Sequence, residues 1–189
     1  MGVTVIIANY NQLSVLPITL RSLAEQHELP EQVVVADDGS SDGTCEWIDN
    51  LPEEAYPFPL RYVTHSHMGY GLTVVENLAA CHIESGRLMF TNADVVHSPQ
   101  SVLTHGSMRS YEIAGGRVED VPMPHSQEVR ESDLEDFDDF VRRFGSFKGG
   151  CSNIEFVRRD ALINIFGIWG GNFSVEAERF HRVNGFNEG

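Results

Sequence analysis

Positive charge is scarce in this chain. Lys and Arg total 13 against 28 Asp and Glu, a formal net charge of −15. That balance excludes the broad basic surface that a nucleic-acid backbone requires. It leaves phosphorylated ligands open, because a bound divalent cation reverses the local field. Cysteine is scarce too. Cys45, Cys81 and Cys151 lie far apart with no pair at metal-ligand spacing, which excludes a disulfide framework or a zinc cluster and points to packed, reduced thiols in a cytoplasmic protein. No apolar run is long enough to cross a bilayer. The opening apolar run, Val3 to Ala8, is short and has no basic residues before it, so no signal peptide is read there. Met1-Gly2 begins like an acylation signal, but Ile6 stands where Ser or Thr is needed. The glycosylation sequon Asn172-Phe173-Ser174 is expected to be silent in its apolar setting.

What is present is a globular composition, 41% hydrophobic over 189 residues, enough for one domain with a sizeable core. Val3 to Ala8 is a continuous, β-branched run of the kind that forms a strand buried on both faces. Leu13, Leu16, Leu20 and Leu23 then recur at helical spacing, with Ser14 as the expected cap and Pro17 in the first turn. The alternation repeats: strand Gln32 to Ala36, a helix capped by Ser41 that presents Cys45, Ile48 and Leu51, strand Leu60 to Thr64, a helix with Leu72, Val75, Leu78 and Cys81 inward, and strand Arg87 to Thr91. This order predicts an α/β fold with a mainly parallel sheet, helices on both faces and right-handed crossovers. Beyond it the spacing predicts a short helix from Ser98-Pro99 to about His105, a strand over 112–118, an exposed loop over 119–131, and a helix with a Ser132/Glu135 capping box and an apolar stripe of Leu134, Phe137, Val141 and Phe144. The acidic cluster Asp133, Glu135, Asp136, Asp138 and Asp139 reads as the solvated face of that last helix.

Three polar clusters leave strands in the same direction: Asn9-Tyr10-Asn11, Asp37-Asp38 and Asn92-Ala93-Asp94. In open α/β sheets that edge is where ligands bind. Asp94 at such an edge suits a hard cation held against a diphosphate. Each cluster also has a plainer account: Asp37-Asp38-Gly39 as a turn former and Asp94 as a strand-end cap. His65 and His67 leave the third strand on one side and are read as solvated loop residues rather than phosphate or metal contacts. Gly69-Tyr70-Gly71 hints at a dinucleotide fingerprint, but Val74 occupies the place of the third glycine.

These blocks resemble family 2 glycosyltransferases of the GT-A fold. The resemblance rests on Val3 through Asn11, Leu20-Arg21-Ser22-Leu23 through Gln26, Val34 through Thr44, Gly69 to Asn77, Phe90 to Asp94, Gly170 through Ser174 and Val183 through Glu188, in family order and spacing. It implies transfer of a sugar from a nucleoside-diphosphate donor, UDP-linked by expectation, to a saccharide, lipid-linked or protein acceptor. It implies a nucleotide-sugar-binding half over 1–96 and an acceptor-side half over 97–189, in a cytoplasmic protein that can sit at the inner membrane. By the same resemblance Asp38 contacts the base or ribose of the donor, Ala8 and Tyr10 line its uracil side, Asn77 either packs or touches the donor, and Asn92, Ala93 and Asp94 form the Asp-x-Asp site, with Asp94 ligating Mn²⁺ or Mg²⁺. Gly170, Gly171 and Asn172 fall on the acceptor side, where Trp169 either offers a flat face to a sugar or fills the core. Two departures stand out. Asn92 replaces the first acid of the metal motif, which lowers the expected metal affinity. The acidic pair that supplies the family's general base is not found in the 189 residues, so it is expected beyond Gly189. A non-catalytic nucleotide- or partner-binding module, and a dinucleotide-dependent oxidoreductase built on residues 60 to 94, are the competing readings.

Overall fold

A computed structural model describes residues 2–67, 69–110, 112–115, 128–144 and 171–188. Its frame is a six-stranded sheet of order β3-β2-β1-β4-β6-β5, formed by β1 (Val3–Asn9), β2 (Gln32–Asp37), β3 (Leu60–Thr64), β4 (Arg87–Asn92), β5 (Ala114–Gly115) and β6 (Asn172–Glu176). The first four strands are mutually parallel, with Ile6 opposite both Val34 and Phe90. β6 runs antiparallel to β4, pairing Thr91 with Asn172, and β5 is antiparallel to β6. The sheet is therefore mixed and mainly parallel.

β1 is buried along its whole length, as its unbroken apolar run requires. Alternate residues feed two cores. On one face Ile6, Val34, Leu88, Phe90 and Phe173 meet α3 (Leu72–Ala80) and α6 (Ala177–Arg182). On the other, Val5, Ile7, Val33, Val35 and Met89 meet α1 (Leu16–Ala24), with α2 (Thr44–Asp49) and α4 (Ser101–Gly106) completing the layer through Trp47, Ile48 and Val102. A 3-10 turn (Glu131–Leu134) leads into α5 (Phe137–Phe144), and Val129, Leu134 and Phe140 form a small satellite core with Ile18 and Val96.

Local chemistry corrects several expectations. α1 begins at Leu16, with Pro17 in its first turn but no side-chain cap from Ser14, because the Gln12 carbonyl already accepts the Val15 and Leu16 N–H groups. Asp42, not Ser41, accepts the Thr44 N–H ahead of α2, whose flanking Gly43 takes φ 93°. The inward face of α3 is rotated from its expected stripe: Val75, Glu76, Ala79 and Ala80 are buried, while Leu78 and Cys81 are exposed. Small alanines let this helix lie close on the sheet, so one carboxyl is drawn inside. Asp133, not Glu135, closes the cap before α5 by accepting the Arg130 N–H at 2.8 Å. Of the acidic cluster, Glu135, Asp136 and Asp138 are exposed as expected, while Asp133 and Asp139 are partly covered and pair with Arg143 and Arg142. Among the described residues no helix is long and apolar enough to span a membrane, and no acidic, histidine and cysteine cluster forms a metal-binding group.

Candidate active site

The carboxyl ends of β1, β2 and β4 are stitched together by backbone hydrogen bonds. The Asp38 N–H donates to the Asn9 carbonyl at 2.9 Å, and the Ala93 N–H donates to the Ala8 carbonyl at 3.0 Å. β1 is thus the shared centre, with Asp38 on one flank and Asp94 on the other. Asn9 and Asp37 are buried and build the floor, while exposed Asn11 ties the loops together. The fully buried Asp37 carboxylate accepts from Asn9 Nδ2 (2.5 Å), from Ser40 N–H (2.8 Å) and from the Tyr62 hydroxyl (2.9 Å). Burial together with that bond to Asp37 pushes the Tyr62 phenol well above its usual range. Asn11 zips the first loop to the second, donating its N–H to Ser40 Oγ and accepting the Ser41 N–H at Oδ1, each at 2.8 Å.

Asp38 is buried as well. Its Oδ2 accepts the Gly71 N–H at 2.9 Å and lies 3.2 Å from His67 Nδ1, while its Oδ1 lies 2.9 Å from His65 Nε2. Gly39, at φ 67°, leaves room for the backbone of His65 and His67 to cross over it. His67 stacks on Tyr10 with ring centroids 4.4 Å apart and planes 13° from parallel. The two histidines are therefore members of the strand-end cluster, not free loop residues. The sequence signal was their exit from a strand parallel to the one ending in Asp37-Asp38. What faces outward on this flank is aromatic: exposed Tyr10 and the two imidazoles, with Asp38 beneath them.

The other flank is simpler. Ala93 is buried and held twice, by its N–H on Ala8 and by its carbonyl, which accepts the Thr19 hydroxyl at 2.6 Å. Asp94 next to it is exposed and makes no hydrogen bond or ion pair with another described residue. Asn92 is half-buried opposite Ala8. A carboxylate that follows a doubly held alanine and is open at its oxygens is suited to a hard cation, and Mg²⁺ is commonly held by one or two carboxylates together with phosphate oxygens.

β6 carries the late block to this same edge. Its pairing sets Asn172 beside Thr91, and the Thr91 hydroxyl donates to the Gly171 carbonyl at 2.9 Å. Gly171 is therefore held, buried, at the carboxyl end of β4, and the Asn172 side chain is turned inward onto His105 Nε2 at 3.1 Å. Trp169 and Gly170 lie outside the described residues, as do Cys151 and 116–118 of the strand expected over 112–118. Asn77 has other work. Its Nδ2 donates to the Phe186 carbonyl and to Glu188 Oε1, and its Oδ1 accepts the Phe186 N–H, so its amide is spent on anchoring the segment after α6.

The family model of "Glycosyl transferase family 2" matches residues 4–166 of the chain. The chain belongs to that family. Among characterised relatives, a validoxylamine A glucosyltransferase of Streptomyces hygroscopicus subsp. limoneus is 29% identical over 98% of this chain and 44% of its own length. A chondroitin synthase of Pasteurella multocida (strain Pm70) is 29% identical over 56% of this chain and 10% of its own length. The chain thus spans less than half the length of these relatives. Among solved structures, the mannosyltransferase PcManGT from Pyrobaculum calidifontis, in complex with GDP-Man and Mn²⁺, superposes with a TM-score of 0.61 at 17% identity over 98% of this chain and 47% of that one. Residues 1–349 of S. aureus TarS superpose with a TM-score of 0.51 at 22% identity over 65% of this chain and 39% of that one. The fold is the GT-A fold of these glycosyltransferases.

Proposed function

We propose that the protein moves a sugar from a nucleoside-diphosphate sugar, UDP-linked by preference, to a saccharide, lipid-linked or protein acceptor, with inversion at the sugar carbon and with Mn²⁺ or Mg²⁺. The observation that carries this reading is the open Asp94 carboxylate beside the β1 exit, across from the aromatic flank over Asp38. Tyr10, His65 and His67 take the nucleoside side, with the Asp38 carboxylate beneath both imidazoles and the Ala8 and Ala93 backbone spacing the two flanks. Asp94 would hold the cation, and the neutral Asn92 amide would hydrogen-bond a ribose hydroxyl or a metal-bound water. When bound, the cation stabilises the charge that builds on the departing diphosphate without any proton transfer. Gly171, with Trp169 and Gly170, is assigned to the acceptor side. No described residue is assigned as the general base.

The test is thermal unfolding with UDP or GDP and Mn²⁺. At a hundredfold excess over Kd, binding adds about 2.7 kcal/mol, which raises Tm by roughly 5–10 °C for a chain of this size. Asp94→Ala abolishes the part of that rise that depends on the metal. Asn92 favours the binding-module reading, and binding of a UDP-sugar with neither transfer nor hydrolysis would select it. Stabilisation by NADH but not by UDP would select the oxidoreductase.

A further inference from the structure

Tyr70 is 84% exposed, the barest large apolar side chain among the described residues. Its place makes that exposure informative. It stands in the loop between β3 and α3, and the next residue, Gly71, donates its N–H to Asp38 Oδ2 at 2.9 Å. Asp38 in turn contacts His67, and His67 stacks on Tyr10. Two tyrosines with exposed surface therefore belong to one rim, linked through a buried carboxylate and an imidazole. Gly71 is fixed, because a Cβ there would overlap the Asp38 carboxylate and the His65 ring. On the other side Gly69 takes φ 104° and has nothing within 4 Å of where a Cβ would lie. The ring thus projects from a short segment that is pinned at one end and open at the other. A phenol ring held in water gains nothing from the fold, and it gains on burial against a flat partner.

We propose that Tyr70 is a nucleoside-binding side chain that packs over the base of the donor, facing the aromatic surface of Tyr10 and His67. The proposal deepens the donor-site reading and rests on it. Its ligand class is a nucleobase and not a phosphate, because the feature offered is a π face and not a charged group. The phosphate side of the site is left to Asp94 and its cation.

Calorimetric titration with UDP and GDP, each with Mn²⁺, tests this on wild type, Tyr70→Ala and Tyr70→Phe. Stacking of a base on an aromatic side chain sets the expected scale, so Tyr70→Ala raises the Kd of the preferred nucleotide about tenfold. Tyr70→Phe keeps the wild-type affinity, and inorganic pyrophosphate binds all three proteins alike. The Tm of the unliganded protein does not move in either variant, because the ring lies outside both cores. An unchanged nucleotide Kd in Tyr70→Ala, with wild type binding normally, overturns the proposal and leaves the donor site standing. So does an equal loss with pyrophosphate, which would mark a general distortion of the loop. Failure of both nucleotides to bind wild type overturns the donor-site reading itself, and Tyr70 with it.

Discussion

The backbone N–H of Gly71 donates to the buried Asp38 carboxylate at 2.9 Å, and no side chain fits at that glycine. The φ of Gly71 is −118°, which any residue adopts, so the requirement for glycine is steric and not conformational. Gly71→Ala pushes its methyl onto Asp38 and His65. We expect a loss of about 1–3 kcal/mol in urea unfolding, the usual scale for overpacking a close-packed site, together with weaker nucleotide binding. Gly69→Ala is the control for local crowding: its methyl meets open space and only the positive φ is strained. Equal stability of wild type and Gly71→Ala would mean that the Asp38 contact yields freely.

β1, β2 and β4 could be read from the sequence because strands buried on both faces are nearly continuous apolar runs, whereas the edge strand β3, with Arg61 and Thr64 exposed, was legible from Leu60, Tyr62 and Val63. The two outer antiparallel strands were harder. β6 is Asn-Phe-Ser-Val-Glu, an alternation that reads as a half-solvated strand or a loop, yet Asn172 and Ser174 are buried. Their partners, His105 and Arg87, lie 67 and 87 residues away, and a buried polar pair looks like two surface residues until the chain is folded. The Asp38–His65–His67 cluster was hidden for the same reason. The place of Asp94 was legible because it follows directly from the strand before it. The rotated face of α3 escaped because small alanines carry little hydrophobic weight but permit the closest approach.

That rotation has a pH consequence. Glu76 is drawn under α3, and burial raises its carboxyl pKa to about 7. A raised carboxyl binds its proton more tightly folded than unfolded. Its contribution is fully present below the unfolded value near 4.5 and is lost as pH rises through 7. Glu76→Gln removes that dependence. Relative to wild type, the variant should gain stability between pH 5 and pH 8, by up to about 3 kcal/mol at the upper end. Parallel stability–pH curves for the two proteins would place the carboxylate in water.

His97 and His105 act in the opposite direction. Burial lowers His97 to about 3 and His105 to about 4. Both are therefore neutral near pH 7, paired with Thr91 and with Ser174 and Asn172. A histidine lowered in the folded state is stabilising above its unfolded pKa near 6.5, and that stabilisation is lost as pH falls toward the folded value. Each should cost about 2 kcal/mol by pH 5, from 1.5 units at 1.36 kcal/mol each. Urea midpoints should fall steeply between pH 6.5 and 5, and His97→Gln/His105→Gln should flatten the slope even if its stability at pH 7.5 is lower. An unchanged slope would show that these rings are not the acid-labile groups.

Asn77 separates an anchoring role from a donor contact. Its amide holds both the N–H (2.8 Å) and the carbonyl (3.0 Å) of Phe186, and Phe186 packs edge-on against Phe90, Phe173 and Phe180. Gly185 sits against the same amide so closely that a Cβ would overlap Oδ1. Removing one partner of such a pair leaves the other unsatisfied, at about 1–3 kcal/mol. Asn77→Ala should therefore lower stability on that scale and loosen the segment after α6, seen as faster hydrogen exchange at Phe186. Asn77→Asp should be worse, because it keeps the acceptor for the Phe186 N–H but sets a carboxylate against the Phe186 carbonyl and Glu188. Neither variant should change the Kd for UDP under conditions where it is folded. A UDP affinity that drops while Tm and exchange hold steady would return Asn77 to the donor site and remove the anchoring account.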